Sequence, residues 1–173
     1  MTGDKHDRLF SSSPRIKLSA SAWYHFPKTA FPIAELIQKT EAAFRGLLDF
    51  HEDTTFRVTA IRKRAKQGQY WTIAKTVELD CRLPLQTAIQ TLAHELVHAE
   101  QYHQGRLVAS QSAASGDWNQ YWNGEHVKVR SGYKAYRALP WEMEAFDREA
   151  ELADKVIAQL GLTWPSLQEL LDR

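Results

Sequence analysis

Cysteine is nearly absent: Cys81 stands alone in a chain of 173 residues. A single thiol excludes an intramolecular disulfide and any zinc site built on several cysteines, and it fits a reducing compartment. Neither sign of charge dominates, since 22 Lys and Arg face 21 Asp and Glu for a net charge of +1. No global field therefore steers the chain toward nucleic acid or an anionic membrane. No run approaches the roughly eighteen apolar residues of a membrane span, and the first residues, Met1 to Arg8, hold no apolar stretch of a secretory leader. A cytoplasmic protein with no membrane partner is expected. Internal repeats are also missing. With 43% hydrophobic residues the chain can bury one core, and its length is short for two ordinary domains.

Residues 1–30 are polar, carry Ser11-Ser12-Ser13-Pro14 and show no sustained period, which predicts an N-terminal tail ahead of a single domain over 31–173. Such a tail is also able to cover a cleft as an inhibitory segment. Trp23, Tyr24 and Phe26 suggest that its end docks on the domain. Pro32 is expected to open a helix to about Phe50, because Ile33, Leu36, Ile37, Phe44 and Leu47 recur at helical spacing. Two strand-like runs follow, Phe56 to Ile61 and Tyr70 to Leu79. Lys66-Gln67-Gly68-Gln69 between them predicts a hairpin. The basic stretch Arg62-Lys63-Arg64-Ala65-Lys66 reads as a solvated hairpin end rather than a phosphate-binding patch.

Pro84 marks a second helix that Gly105 ends, and Pro140 opens a third that Gly161 closes; Trp164-Pro165 begins a short last one. Between them, residues 105–139 look irregular, with a loop from Ser110 to Gly116, a turn at Trp122-Asn123-Gly124-Glu125 and a short strand at Val127-Lys128-Val129. The expected fold is an α+β domain with a small sheet.

The second helix contains His94-Glu95-Leu96-Val97-His98. Histidines at i and i+4 share one helical face, so both imidazoles can grip one Zn²⁺ while Glu95 reaches the water that the ion activates. With His94 at zero, His98 falls at about 40° and Leu85, Ile89, Leu92, Ala93 and Leu96 fall at about 160–260° on the opposite side. One face packs and the other presents the ligands. A solvent-facing pair of histidines beside a glutamate would show the same angles, but the apolar back and the preceding strand favour metal.

Zinc needs a third protein ligand. His103 points roughly opposite to the pair on a continuous helix. The longer metzincin pattern requires Gly and His where this chain has Gln101 and Gln104. His126 stands alone in the irregular segment and reads as a surface or turn residue.

Leu139-Pro140-Trp141-Glu142-Met143-Glu144-Ala145-Phe146 resembles the gluzincin metallopeptidases, in which a later helix supplies a glutamate often followed three residues on by a small residue. Glu142 with Ala145 fits that spacing. The Glu-x-Glu-Ala order is similar to the ImmA/IrrE-like metallopeptidases. His94 to Gln101, the Trp122-x-Gly124 turn and Tyr136-x-x-x-Pro140-Trp141-Glu142-x-Glu144-Ala145 together resemble small metallopeptidases of phages and bacteria, over about residues 77–155. The resemblance implies a minimal zincin-like domain. Independently, Ala145, Leu152, Ala153, Val156, Ile157 and Leu160 define an inward face that includes Glu142, while Glu144 projects about 160° away. Both stay open as third ligand, with Glu142 preferred. Gluzincins commonly place Asp or Asn four residues after that Glu; here Phe146 occupies the position, which leaves the orienting partner of the histidines unassigned.

The expectation is a zinc-dependent hydrolase, most simply a peptidase acting on a peptide or protein, with His94, His98 and Glu142 on Zn²⁺ and Glu95 as general base and acid. Tyr136, ahead of Tyr133 and His126, is the preferred residue to stabilise the oxyanion. A substrate strand is expected along Thr76-Val77-Glu78-Leu79. Two other functions compete: a catalytically silent zinc-binding protein, for which Glu95 would have no use, and a SprT-like DNA-associated protease, which uses a histidine as third ligand. A metal-free binding module built on the six tryptophans is a weaker third. The near-neutral charge disfavours nucleic acid as a partner. Substrate and oligomeric state are not written in these residues.

Overall fold

The computed structural model describes residues 15–62, 66–112 and 116–171. In chain order these form β1 (Ile16–Leu18), α1 (Ala20–His25), α2 (Pro27–Leu47), β2 (Thr55–Thr59), β3 (Gly68–Trp71), β4 (Thr76–Asp80), α3 (Leu85–His103), β5 (Leu107–Gln111), β6 (Trp118–Trp122), β7 (Glu125–Val127), α4 (Tyr133–Arg137), α5 (Pro140–Gln159) and α6 (Trp164–Leu171). The expected α+β class holds. Among the described residues no helix is long and apolar enough to cross a membrane.

The first sheet has the order β1-β2-β4-β3. β1, β2 and β4 run parallel, and β3 closes the edge antiparallel to β4. Alternate residues Phe56 and Val58 of β2 and Val77 and Leu79 of β4 pair in register and turn one apolar face inward. That face meets Ile33, Leu36, Ile37 and Phe44 of α2, Ile89, Leu92 and Leu96 of α3, and Ala145, Ala153, Val156 and Ile157 of α5. α3 is the central element, packed against α2, α5, β3 and β4. Its residues from Thr91 to Gln101 are all buried, polar ones included, so each polar side chain there needs a partner.

Several expectations about the first half need correcting. Residues 1–14 of the expected tail, and with them its expected covering of a cleft, lie outside the described set. Arg15 onward belongs to the domain: β1 pairs with β2, and Ala22 and Ala30 are fully buried. The first long helix starts at Pro27, with Pro32 inside it. Either proline could take the first helical turn. Burial of Ala30, Ile33 and Ala34 on one face outweighs the hydrogen bond that an internal proline removes.

The expected hairpin between 56–61 and 70–79 is also wrong. The second run is two strands, β3 and β4, joined by a turn that places Lys75 at φ 47°. β2 then pairs with β4 in parallel because Phe56 and Val58 bury beside Val77 and Leu79.

The segment 105–139 is far more regular than expected. β5, β6 and β7 form a three-stranded antiparallel meander. Its last turn has Asn123 at φ 50° and Gly124 at φ 84°, the two positive dihedrals of a type I′ hairpin. The turn was correctly placed, whereas the strand after it is Glu125–Val127 rather than 127–129. Within the expected loop, Ser110 and Gln111 belong to β5, and residues 113–115 lie outside the described set. Leu107, Leu139 and Trp141 make a small second core that fixes the meander against the start of α5.

Candidate metal centre

α3 and α5 lie side by side and bring three side chains together. His94 and His98 project from one face of α3, and Glu142 comes from the first turn of α5. All three are buried. The two Nε2 atoms face each other at 3.2 Å; His94 Nε2 lies 3.3 Å from Glu142 Oε2 and His98 Nε2 lies 3.5 Å from Glu142 Oε1. In a tetrahedral site with bonds of about 2.05 Å, two ligand atoms stand about 3.3 Å apart. The two imidazole nitrogens and the Glu142 carboxylate therefore stand at the spacing of ligands around one such ion.

The outer hydrogen bonds explain why these atoms point inward. His94 Nδ1–H donates to Glu149 Oε2 at 2.8 Å, and His98 Nδ1–H donates to Gln101 Oε1 at 2.9 Å. The Gln101 amide is itself held, because its Nε2–H donates to the Trp141 carbonyl at 3.0 Å. Both rings are thus committed to donation from Nδ1, and each Nε2 is left as an acceptor. Glu142 Oε2 is buried without a hydrogen bond. Four electron-rich atoms converge here, and this group can hold a metal ion.

Protonation follows the same logic. Burial lowers the His94 pKa, but the carboxylates of Glu142 and Glu149 outweigh it and lift it to about 9. Burial raises the Glu142 pKa, but the two histidines outweigh it and bring it down to about 2. The metal-free cluster keeps its carboxylate ionised and draws a proton onto an imidazole. A cation would replace that proton.

Glu95 does not belong to the ligand group. Its carboxyl is buried on the adjoining side of α3, and burial pushes its pKa up despite the histidines nearby. It stands at the division between two clefts of about 330 and 290 Å³, both of which Lys66, Gly68, Glu95 and Tyr136 line. The larger extends past His94, Thr91 and Glu149, and the smaller past His98, Tyr102 and Trp141. Gly68 is required here. A Cβ on it would lie 2.7 Å from Thr91 Cγ2 and 3.1 Å from Glu95 Cγ, so only glycine lets β3 approach this closely.

Tyr136 stands on α4 with its ring half exposed and its hydroxyl against Glu142. Burial and that carboxylate push its pKa up, so it remains a proton donor. Tyr133, one turn earlier, lines only the larger cleft and is exposed. His126 is exposed on β7 with its ring against Tyr121 and lies away from the cluster. His103 pairs with Asp49 at 3.6 Å, outside the site. Glu144 also turns away: Arg106 and Arg148 hold its carboxylate at 2.6 and 2.8 Å. Of the two open glutamates, Glu142 is the one in the cluster.

The expected substrate edge needs correction. β4 is hydrogen-bonded on both sides, to β2 and to β3, and has no free edge. β3 is the edge strand, and its Gly68, Gln69 and Tyr70 line the smaller cleft.

Sequence reasoning missed Glu149 and Gln101. Both had a signal: Glu149 is seven residues after Glu142, two turns on along one face, and Gln101 is three residues after His98. Phe146, at the position where gluzincins often have Asp or Asn, instead packs its ring on His94 with centroids 4.6 Å apart. The partner that α5 offers to the His94 Nδ1 is Glu149, one turn further on. Comparisons with protein-family models, with curated proteins and with solved structures find no match.

Proposed function

We propose that this protein is a zinc-dependent hydrolase that cleaves peptide bonds. The carrying observation is the convergence of His94 Nε2, His98 Nε2 and the Glu142 carboxylate beside a buried glutamate that is not one of them. Two imidazoles and one carboxylate suit zinc, and three protein ligands beside an open cleft suit a reactive site; structural zinc sites are closed by four. When bound, zinc would supply Lewis acidity and a water of lowered pKa.

This chain's residues would do the rest. Glu95, with its pKa lifted by burial, would take a proton from the attacking water and return it to the leaving amine. Tyr136, kept protonated next to Glu142, would donate to the oxygen that gains charge at the substrate carbonyl. The free edge of β3 would pair with an extended substrate backbone, which holds the scissile amide over Glu95. A silent zinc-binding protein would have no use for a carboxylate buried at that point, since an isolated buried charge is costly.

Replacing Glu95 by Gln tests the reading. The variant should retain zinc and lose hydrolysis of a casein or peptide-mixture substrate by about a thousandfold or more, while His94→Ala and Glu142→Ala should lose zinc. Full activity in Glu95→Gln would refute the mechanism.

A further inference from the structure

The walls of the cleft differ in charge from its floor. The floor carries Glu95, Glu142 and Glu149 around the two histidines. One wall is formed by Lys66, Gln67, Gly68, Gln69 and Tyr70, among which Lys66 is the charged side chain. Lys66 lines both clefts. The other wall includes α4, a helix that carries Lys134 and Arg137 and no acidic residue. Tyr133 and Tyr136 of α4 line the larger cleft, and the Arg137 guanidinium lies 4.0 Å over the ring of Phe146, which lines it too.

Among the described residues Lys66, Lys134 and Arg137 form no salt bridge; Lys66 acts electrostatically on Glu95, and Lys134 and Arg137 are exposed. Arg15, Arg45, Arg57, Arg82, Arg106 and Arg148 by contrast are all paired with carboxylates. Among the described residues, positive charge with no carboxylate partner thus stands beside the candidate site at Lys66 and Arg137.

We infer that the site takes acidic polypeptide segments, with Lys66 and Arg137 as specificity-determining residues that engage Asp or Glu on either side of the scissile bond. The inference rests on the peptidase reading for the bond that is cut, not for the charge that is bound. A nucleic-acid strand fits less well. Its phosphates would run along the groove directly above three floor carboxylates, whereas a peptide sets a neutral amide over the floor and its acidic side chains at the rim. Opposed cations bracketing an extended chain also raise the encounter rate with anionic segments, an effect that salt screens.

The test uses zinc-loaded full-length protein and three peptides of equal length that share a central sequence flanked by Glu, Ala or Lys. The Glu-flanked peptide should be cleaved with kcat/KM about tenfold above the Ala-flanked one at low salt, with the Lys-flanked one slowest and the spread shrinking as salt is raised. Lys66→Gln with Arg137→Gln should erase the preference, and Lys66→Glu with Arg137→Glu should reverse it; circular dichroism of each variant confirms folding. Fluorescence anisotropy of the same labelled peptides on Glu95→Gln reads binding without turnover. If no peptide is cut by the wild type, the peptidase reading fails, and anisotropy alone decides the charge preference. Equal cleavage and equal binding of the three peptides would overturn the inference. So would tighter binding of a single-stranded oligonucleotide with the net charge of the Glu-flanked peptide.

Discussion

The site is decided by which nitrogen of each imidazole carries the hydrogen. Glu149 and Gln101 hold Nδ1–H on His94 and His98, so both Nε2 lone pairs meet Glu142. Orienting partners of this kind typically contribute 10–100-fold to metal affinity. Glu149→Ala should therefore weaken zinc binding by about that factor in a chelator competition, and Glu149→Gln, whose amide oxygen can still accept from Nδ1, should lose much less. An unchanged affinity in Glu149→Ala would remove its orienting role. Proton traffic provides a second check. In the metal-free fold His94 is raised to about 9, so at pH 7.5 it carries a proton that an incoming cation must displace. Glu142, lowered to about 2, contributes none. Zinc uptake at pH 7.5 should release at least one proton, and apparent affinity should climb as pH rises toward 9 and then level off. Titration calorimetry in two buffers of different ionisation enthalpy measures the proton count.

At the scale of elements, the close contact of β3 with α3 sets the width of the groove. A Cβ at Gly68 would meet Thr91 Cγ2 at 2.7 Å, the Glu78 carbonyl at 3.0 Å and Glu95 Cγ at 3.1 Å. The Glu78 carbonyl is backbone of the neighbouring strand and cannot rotate away. Gly68→Ala should cost about 1–3 kcal/mol in urea denaturation and lower hydrolysis further by displacing Glu95, with zinc affinity little changed. The same elements show what a sequence can reveal. α3 and α5 were legible because their signals are local: Pro84 and Pro140 at the starts, Gly105 and Gly161 at the ends, and an apolar stripe between. The Asn123-Gly124 turn was legible for the same reason. β1 was not, because three residues, Ile16–Leu18, are too few to show a period and are held only by pairing with β2. Nor was the parallel pairing of β2 with β4, since a turn signal at 66–69 speaks of chain reversal and says nothing about which strand lies beside which.

In the molecule as a whole, α3 is buried from Thr91 to Gln101, and its polar side chains tie the fold together as well as forming the site. The histidine pair and Glu142 could be read from spacing and from the inward face of α5. The partners of Glu100 could not, because they come from three separate parts of the chain. Its Oε1 accepts from the Asp49 amide at 2.9 Å, and its Oε2 accepts from Arg148 at 2.6 Å, with Arg106 at 3.8 Å. Arg148 also pairs with Glu144 at 2.8 Å and Arg106 with Glu144 at 2.6 Å. The network joins the segment after α2 to α3, α5 and the approach to β5. Glu100 is buried while Arg148 is partly exposed, so removal of the arginine leaves an under-compensated charge inside. Arg148→Met should then cost about 2 kcal/mol, the low side of a broken buried pair because water reaches the arginine. Adding Glu100→Gln removes the stranded charge but keeps an acceptor for Asp49, and should restore roughly half of the loss. Both values are read by urea denaturation of the metal-free protein, so that zinc binding does not mask them. A double variant less stable than Arg148→Met would show that Glu100 needs its charge for more than this arginine, and that the Asp49 amide is the stronger tie.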